Sequence, residues 1–556
     1  MSSFPSLQRA LAAVLAVGLV GAVMFVFIGP SSSPLQAPLD AGGPKGGKGD
    51  WAMFGGSLSR NMANTTVKGL PSEWNIDEGE TKNIKWAADL GSQSYGGPLV
   101  AGGRVFIGTN NVNPRDKKYI DKKTGGPADL GILMAFDEAS GKFLWQAVHP
   151  KLAAGRVVDW PLQGLCSTPV VEGDLLYYVS NRCEVVCADV NTGKEKWTLN
   201  MIKELGVFPH NISDCSPLLI DGKLFVVTSN GVDEDHINVP APKAPSFICV
   251  EKTNGKVLWQ NNTPTVSLTQ VAKKGDKAEQ KEFFKRLVNR GELIQHGQWS
   301  NPAYAIVAGQ PQVIFPGGDG WIYSLEPATG KLIWKFDCNP KDAEYELGGE
   351  GTRNDFIATP VVYKDRVYIG VGQDPEHELG VGHLWCIDMT KMGDGSPELV
   401  VNNAVWPPET KKNPNSALIW HYGGPIAKPA EGKKLGLRNF WFNRTMSTCA
   451  IHDDLCYAAD LKGIVYCLDA DKGTLYWVHD TKSQSWSSPY YADGKVYFGN
   501  DRKTVTVLAH GKEKKVLARN DMESMVRATP IAANGTLYVM TERKLYAIAE
   551  GAGKKQ

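Results

Sequence analysis

The chain has 556 residues, with 60 Lys and Arg against 59 Asp and Glu and a formal net charge of +1. Its basic residues are scattered, which excludes the clustered positive footprint of a nucleic-acid-binding protein. The length admits several ordinary domains, but one motif recurs through nearly all of it, so a single large repeat domain is predicted.

In chain order, residues 1–9 form a short start predicted to be cytoplasmic, followed by an unbroken apolar run from Ala10 to Ile28. Those 19 apolar residues are enough to span a bilayer and long for a cleaved signal. The best cleavage motif, Leu35-Gln36-Ala37, is followed by Pro38, which disfavours processing. A retained signal-anchor at 10–28 is therefore expected, with the bulk of the chain in the periplasm or another extracytoplasmic space; a cleaved signal peptide is the alternative. Residues 29–50, rich in Pro, Gly and Ser, read as a flexible linker. Residues 51–82, aromatic but without the repeat, read as a strap under the repeats.

The repeat occupies 83–550, and residues 551–556 are a tail. Its clearest copy runs from Ser216 to Trp259 as four β-rich runs joined by turn chemistry such as Asp221-Gly222 and Asn254-Gly255. Copies begin at Pro98, Pro169, Pro217, Pro302, Pro360, Cys449, Pro489 and Pro530. Most close on Trp: Trp145, Trp197, Trp259, Trp334, Trp420 and Trp477. The seventh is degenerate near Val516-Leu517, and the eighth stops at Leu545–Ile548 without a closing strand. Asn83-Ile84-Lys85-Trp86 supplies one. An N-terminal strand pairing there removes the open sheet edge. The predicted fold is all-β: an eight-bladed propeller of four-stranded antiparallel blades, ring-closed by an N-terminal strand and preceded by one transmembrane helix.

Long insertions fall on the two kinds of link that open on one face, including Asn110–Leu130, Gly231–Pro245, Gln260–Gln298 and Gly372–Gly382. Met392–Pro414 is the exception. One face is thus expected to work. Within Gln260–Gln298, Lys277 to Val288 predicts an amphipathic helix with Phe283, Phe284 and Leu287 on one side.

The closing half-motif, as in Leu133–Trp145, Val186–Trp197, Ile248–Trp259 and Tyr323–Trp334, resembles the pyrroloquinoline-quinone (PQQ)-type propeller repeat. That superfamily includes quinoprotein dehydrogenases, the periplasmic propeller lipoprotein of outer-membrane barrel assembly and propellers without assigned activity. The resemblance is specific for fold and not for function and leaves the cofactor open: the dehydrogenases of the superfamily take PQQ with calcium, but the adjacent Cys pair typical of those enzymes is absent here. No haem-type Cys-x-x-Cys-His occurs, and no Cys lies near the apolar run to carry a lipid.

The repeat residues read structurally. Each closing Trp is an inter-blade wedge. Cys187, Cys249, Cys386 and Cys467 share a slot that other blades fill with Ala135, Ser324 and Ala547, so the slot is small and buried. Cys183 and Cys187, about 13 Å apart along one strand, cannot bridge; Cys166, Cys215, Cys338, Cys449 and Cys456 remain candidates for disulfides in an oxidising compartment. The loops Asp233–His236 and Gln373–Glu378, with His383 beyond, mix carboxylates with imidazole but match no metal motif; they read as solvated charge, and no metal site is assigned.

Before each inner strand stands a pair of small residues, because blades crowd as they converge. One position further out the restriction lifts, at Tyr95, Cys166, Asp214, Trp299, Ile357, Met446, Trp486 and Arg527. These predict an aromatic cup at the channel mouth, to which neighbouring loops add Arg156, Asp159, Trp160, His210, His296, Arg353, Asp355 and Arg444. Apolar walls with a few polar groups suit a small molecule or an envelope-protein segment. The expectation is a membrane-tethered envelope scaffold that binds through this face. The alternatives are a PQQ-dependent alcohol or sugar dehydrogenase, with Asp214 or Asp159 as proton acceptor, and a carbohydrate-active enzyme using paired carboxylates.

Overall fold

A computed structural model of the chain describes residues 47–263, 276–346, 351–373, 376, 379–426 and 440–553. The predicted anchor at 10–28 and most of the linker lie outside these residues. Among the described residues no helix is long and apolar enough to cross a membrane.

Eight sheets with four-stranded antiparallel cores follow one another around the chain; in seven the strands run in sequence order from inner to outer, and in the eighth the outer strand comes from the N-terminal side. The inner strands begin at Leu99, Val170, Leu218, Ala303, Val361, Ala450, Tyr490 and Ile531. In seven blades the first two strands meet in a tight turn with positive φ at both corners, as at Asp221 (47°) and Gly222 (74°), and in blade two at Gly173 alone (59°); such turns match strand twist. Ile84–Asp89 is the outer strand of the eighth blade, antiparallel to Lys544–Ile548 with Trp86 opposite Ala547. The ring therefore closes head to tail, as expected.

In every blade the pairing of third and outer strands carries a register shift at the equivalent place. The shift sets the closing Trp directly across from the small slot: Trp145 opposite Ala135, Trp197 opposite Cys187, Trp259 opposite Cys249 and Trp334 opposite Ser324. In the seventh blade, which lacks the Trp, the roles exchange, and Val507 faces Ala518. The slot is small because an indole lies over it. All ten cysteines are free, so the disulfides entertained above do not form; Cys187, Cys249, Cys386 and Cys467 are core filling.

Each indole also reaches the next blade. Trp145 donates Nε1–H to Val190 O, Trp197 to Lys252 O, Trp259 to Pro327 O, Trp420 to Ala470 O and Trp477 to Gly511 O. Trp334 differs, donating to Gln312 Oε1, while Gln312 Nε2 bonds Met389 O. Gln312 thereby stands between the indole and Met389 O, the carbonyl at the position equivalent to Val190, Lys252, Pro327 and Ala470 O.

That insertion corrects one expectation. Met392–Pro414 leaves on the face opposite the other long loops, but Gly393–Asp394 then runs parallel to Trp334–Lys335, along the outer edge of blade four. It ends in a hairpin, Glu398–Asn402 with Glu409–Lys412, which lines a groove shared with Asn289 and Arg353 from the loop-rich face. The apparent exception is carried round to that face. A second correction concerns the helix Lys277–Asn289, capped by Asp276. Phe284, Leu287 and Val288 are buried, whereas Phe283 is exposed. Phe284 with Leu287 and Val288, three and four residues on, makes the buried stripe; Phe283, four residues before Leu287, stands at its edge and is 38% exposed. The helix closes a satellite core with Val232, Val239, Leu293, Ile294 and Tyr345.

The strap threads the ring from inside. It hydrogen-bonds the inner strands in turn, Trp51 with Val100, Ala52 with Val171, Leu58 with Tyr304, Ser59 with Val362 and Met62 with Cys449 and Tyr491. Asn64 Nδ2 reaches Ala532 O in the eighth blade. Blade three is held by Arg60, fully buried, which donates to Ser216 O, Pro217 O, Pro302 O and Phe54 O at 2.8–3.1 Å. The strap thus touches all eight blades.

Candidate functional site

The mouth is built from the positions where each chain segment turns into its inner strand. In all eight blades the slot residue is half-buried while both of its chain neighbours are buried. Seven of these residues, Tyr95, Cys166, Asp214, Trp299, Ile357, Met446 and Trp486, line one cavity of about 310 Å³. The eighth, Arg527, lines the constriction just beneath, together with the ring of small residues and Phe54 of the strap as floor.

The small residues have a second reason to be there besides crowding. Thr168 N–H donates to Ser216 Oγ, Ser216 N–H to Asn301 Oδ1, and Asn301 Nδ2 to Thr359 Oγ1, at 2.6–2.9 Å. Thr448 N–H donates to Ser488 Oγ and Ser488 N–H to Thr529 Oγ1. Short polar side chains satisfy buried backbone donors of the neighbouring blade, and this girdle holds the mouth open at a fixed diameter.

Above it, Tyr95 stacks on Trp486 with centroids 5.3 Å apart and planes at 28°. Arg527 lies over the same indole, 4.7 Å from its centroid, with Nη1 3.4 Å from the Tyr95 hydroxyl, and is fixed by Asp501 through Nε and Nη2 at 3.2 and 3.0 Å, with Glu542 3.5 Å away. Its charge is answered from below. Asp214 sits on the opposite wall, and burial pushes its carboxyl up to about 7. Burial likewise raises the Tyr95 hydroxyl and the Cys166 thiol, so neither is an anion at neutral pH.

The predicted loop residues divide into three groups. Trp160 lines the cavity, and Arg156 stands at the rim, 4.3 Å over the Trp160 ring and 2.6 Å from Glu234. His210 and His296 lie behind Trp299, buried. Asp159, Arg353 and Arg444 do not join the mouth. Asp159 is buried among Lys151 Nζ (2.5 Å), Leu152 N and Asn181 Nδ2, which ties a loop and removes it as a proton acceptor. Arg444 is fully buried, donating to Gly351 O and Gln373 Oε1. Arg353 lines the separate groove beside the hairpin, with Trp321, Lys341 and Trp406.

Sequence reasoning missed Gln163, Asn211, Ile212 and Glu376, which complete the lining. They come from loops with no repeat register. It also misplaced His236, read as solvated loop charge. His236 is buried against His210 and His296, with ring centroids 4.8 and 5.4 Å away. Its neighbours in sequence stay outside, Asp235 near Lys277 and Glu234 near Arg156. His383 is likewise buried, 2.8 Å from His421 Nε2. Asp374, Pro375, His377 and Glu378 of the other loop lie outside the described residues.

The chain is 22% identical over 327 residues to the dehydrogenase subunit of a quinone alcohol dehydrogenase of Gluconacetobacter polyoxogenes, covering 53% of this chain and 39% of that protein. It is 19% identical over 335 residues to tetrathionate hydrolase of Acidithiobacillus ferrooxidans, covering 53% and 58% respectively. It thus spans less than two thirds of the length of these curated relatives. Among solved structures, BamB from Moraxella catarrhalis aligns at 13% identity with a TM-score of 0.46, covering 85% of this chain and 99% of that one. A family model described as outer membrane protein assembly factor BamB matches residues 129–391 and 414–556. The chain therefore belongs to that family of PQQ-like propellers.

Proposed function

We propose that this protein is an exported, membrane-tethered scaffold of the cell envelope that takes an uncharged or cationic group of a ligand or partner protein into its mouth. The observation that carries this reading is the composition of the cavity. Three indoles and a phenol form its walls, Asp214 and Glu376 are its acids, and among the described residues its lining holds no Lys or Arg. A flat or cationic group stacks on such walls and meets complementary charge. The BamB description of the family supports a protein partner and an envelope location, and the apolar run at 10–28 supports the tether.

The dehydrogenase reading fares worse on the same residues. PQQ carries three carboxylates. Here they would face Asp214 and Glu376, while the two guanidiniums beside the cavity are already paired, Arg527 with Asp501 and Glu542 and Arg156 with Glu234. Cys166 is the one cysteine of the lining. The mouth does not fit the quinone.

The test is titration of the full chain in detergent, followed by indole fluorescence, with PQQ plus Ca²⁺, a Lys/Arg-tipped peptide and an acidic peptide of equal length. Saturable binding of the cationic peptide alone is expected. Retained quinone with dye reduction, or preference for the acidic peptide, overturns the proposal.

A further inference from the structure

His210, His236 and His296 are distant in sequence and arrive from three different loops. His210 precedes the inner strand of blade three, His236 lies between that blade's second and third strands, and His296 precedes the inner strand of blade four. All three are buried. Their ring centroids are 4.5 to 5.4 Å apart, and one ligand nitrogen from each lies within 4.8 Å of the other two. We infer that these three imidazoles form a binding site for a divalent transition-metal ion of the Zn²⁺ class.

The surroundings set the tautomers that such a site needs. His210 Nδ1 is 2.9 Å from Val232 O, and His236 Nδ1 is 3.1 Å from Glu234 O. A carbonyl oxygen only accepts, so the proton sits on Nδ1 and the lone pair on Nε2. Consistently, the group beside His210 Nε2 is a donor, Asn211 Nδ2, at 3.4 Å. The Asp355 carboxylate lies 3.3 Å from His296 Nδ1 and favours the same tautomer there. Metal-bound histidines are held in this way, the remote ring nitrogen on a carbonyl or a carboxylate.

Donor type selects the ion. Three neutral nitrogens suit Zn²⁺, Cu²⁺ or Ni²⁺ and not the oxygen-seeking Ca²⁺ or Mg²⁺. Nitrogens sharing one tetrahedral Zn²⁺ at about 2.0–2.1 Å stand about 3.3 Å apart, so the rings close by roughly an ångström or more through side-chain rotation on their loops. Asp355 supplies nearby negative charge, and three imidazoles leave a fourth position for water.

Position decides the role. None of the three histidines lines the mouth cavity. Trp299 stands between, stacked on His210 at 5.6 Å and 22°, and edge-on to His296 at 4.6 Å. The ion would pin three loops and the satellite core under Lys277–Asn289, and so fix the plane of the Trp299 wall. Its job is structural and does not depend on which ligand enters the mouth. A second group, His452, Asp453 and His510, serves as a control. There the Asp453 carboxylate is 72% exposed and lies 3.4 and 3.6 Å from the two imidazoles, an arrangement satisfied without an ion.

The experiment uses the full, tag-free chain in detergent, stripped with chelator, reloaded with ZnCl₂, desalted and assayed by mass spectrometry for metal. Wild type, H236Q, the double variant H210Q/H296Q and H510Q are compared, with Co²⁺ as a spectroscopic probe and far-UV circular dichroism as the folding check. About one equivalent of Zn²⁺ in wild type and in H510Q is expected, with tenfold or weaker affinity in H236Q. Co²⁺ should give a visible nitrogen-ligand spectrum only where Zn²⁺ is retained. Wild type that keeps less than about a tenth of an equivalent, H236Q that binds as wild type does, or H510Q that loses the metal would each overturn the inference. Should H210Q/H296Q fail to fold, wild-type stoichiometry and H236Q decide it.

Discussion

Trp86, from the strand that closes the ring, lies against Gly141 of the first blade and donates its Nε1–H to Glu138 O at 3.0 Å. A Cβ added at Gly141, whose φ is +71°, would stand 2.6 Å from the indole. The same pairing of an indole with a turn glycine joins Trp145 to Gly193, Trp197 to Gly255, Trp259 to Gly330 and Trp420 to Gly473. One contact, repeated, sets the spacing of most of the ring, and at Trp86 it joins its two ends.

Gly141→Ala is therefore expected to destabilise the propeller by about 1–3 kcal/mol through strain and overpacking, and Trp86→Ala by about 3–5 kcal/mol. Combined, they should cost less than the sum, with at least about 1 kcal/mol of coupling, because the clash disappears with the indole. Equilibrium urea unfolding of the four proteins measures this; strict additivity would show that the two residues do not meet.

The small slot opposite each indole makes a matching prediction. Cys187→Ala, which leaves Trp197 seated, should cost no more than about 1.5 kcal/mol, whereas Cys187→Leu should cost about 1–3 kcal/mol or more by displacing it. In blade seven, where Val507 already faces Ala518, Val507→Leu should be milder than Cys187→Leu. Thermal unfolding of the three variants gives the order.

Arg60 anchors the strap through four carbonyl acceptors and is wholly buried. Burial pulls its guanidinium down to about 10, still cationic at neutral pH. Arg60→Met should cost about 3–5 kcal/mol, since those carbonyls lose their donor. Arg60→Lys should not rescue it, because one ammonium cannot span acceptors on both sides of the strap. Limited proteolysis, read at the segment 51–64, should show the strap released in both variants.

What could be read from sequence was what repeats. The blade count, the ring closure at Trp86 and the eight mouth positions share one register, so a residue's neighbours in other blades reveal its place. The loops have no such register. Asp159, Arg353 and Arg444 are near the mouth in chain order alone: Asp159 bonds within its own loop and to Asn181, Arg444 reaches Gly351 and Gln373 in other loops, and Arg353 lines the separate groove. His236 looks solvated because three acids precede it, and only the fold shows it buried against His210 and His296 from other loops. Phe283, four residues before Leu287, shares that side of the helix Lys277–Asn289 by spacing, and only the packing shows it at the solvent edge of the stripe.

Trp299→Ala with Trp486→Ala should leave the ring folded, since both side chains are half-buried and neither is a blade wedge. The loss expected for Trp486 is about 0.5–1.5 kcal/mol each for the Tyr95 stack and the Arg527 contact. Affinity for the cationic peptide should fall by roughly thirtyfold or more, as truncation of central aromatic anchors does. A protein that unfolds, or that binds unchanged, would show these indoles to be packing only. Calorimetry beside circular dichroism separates the two.

Asp214 makes the mouth sensitive to pH. Its carboxyl titrates near 7 in the folded chain against an ordinary value of 3.8, so between these pH values the folded protein holds a proton that the unfolded one has released. Stability contributed by this group then falls as pH rises from about 4 to 7. Asp214→Asn should remove that penalty, gaining about 1–3 kcal/mol at pH 8 and nothing at pH 4, the upper bound being lowered by the side chain's partial contact with solvent. Binding should run the other way. The carboxylate needed to meet a cationic group appears only above pH 7, so peptide affinity should climb between pH 5.5 and 8 in wild type and stay flat in Asp214→Asn. A wild-type affinity that declines over this range would mean that the group entering the mouth carries no positive charge.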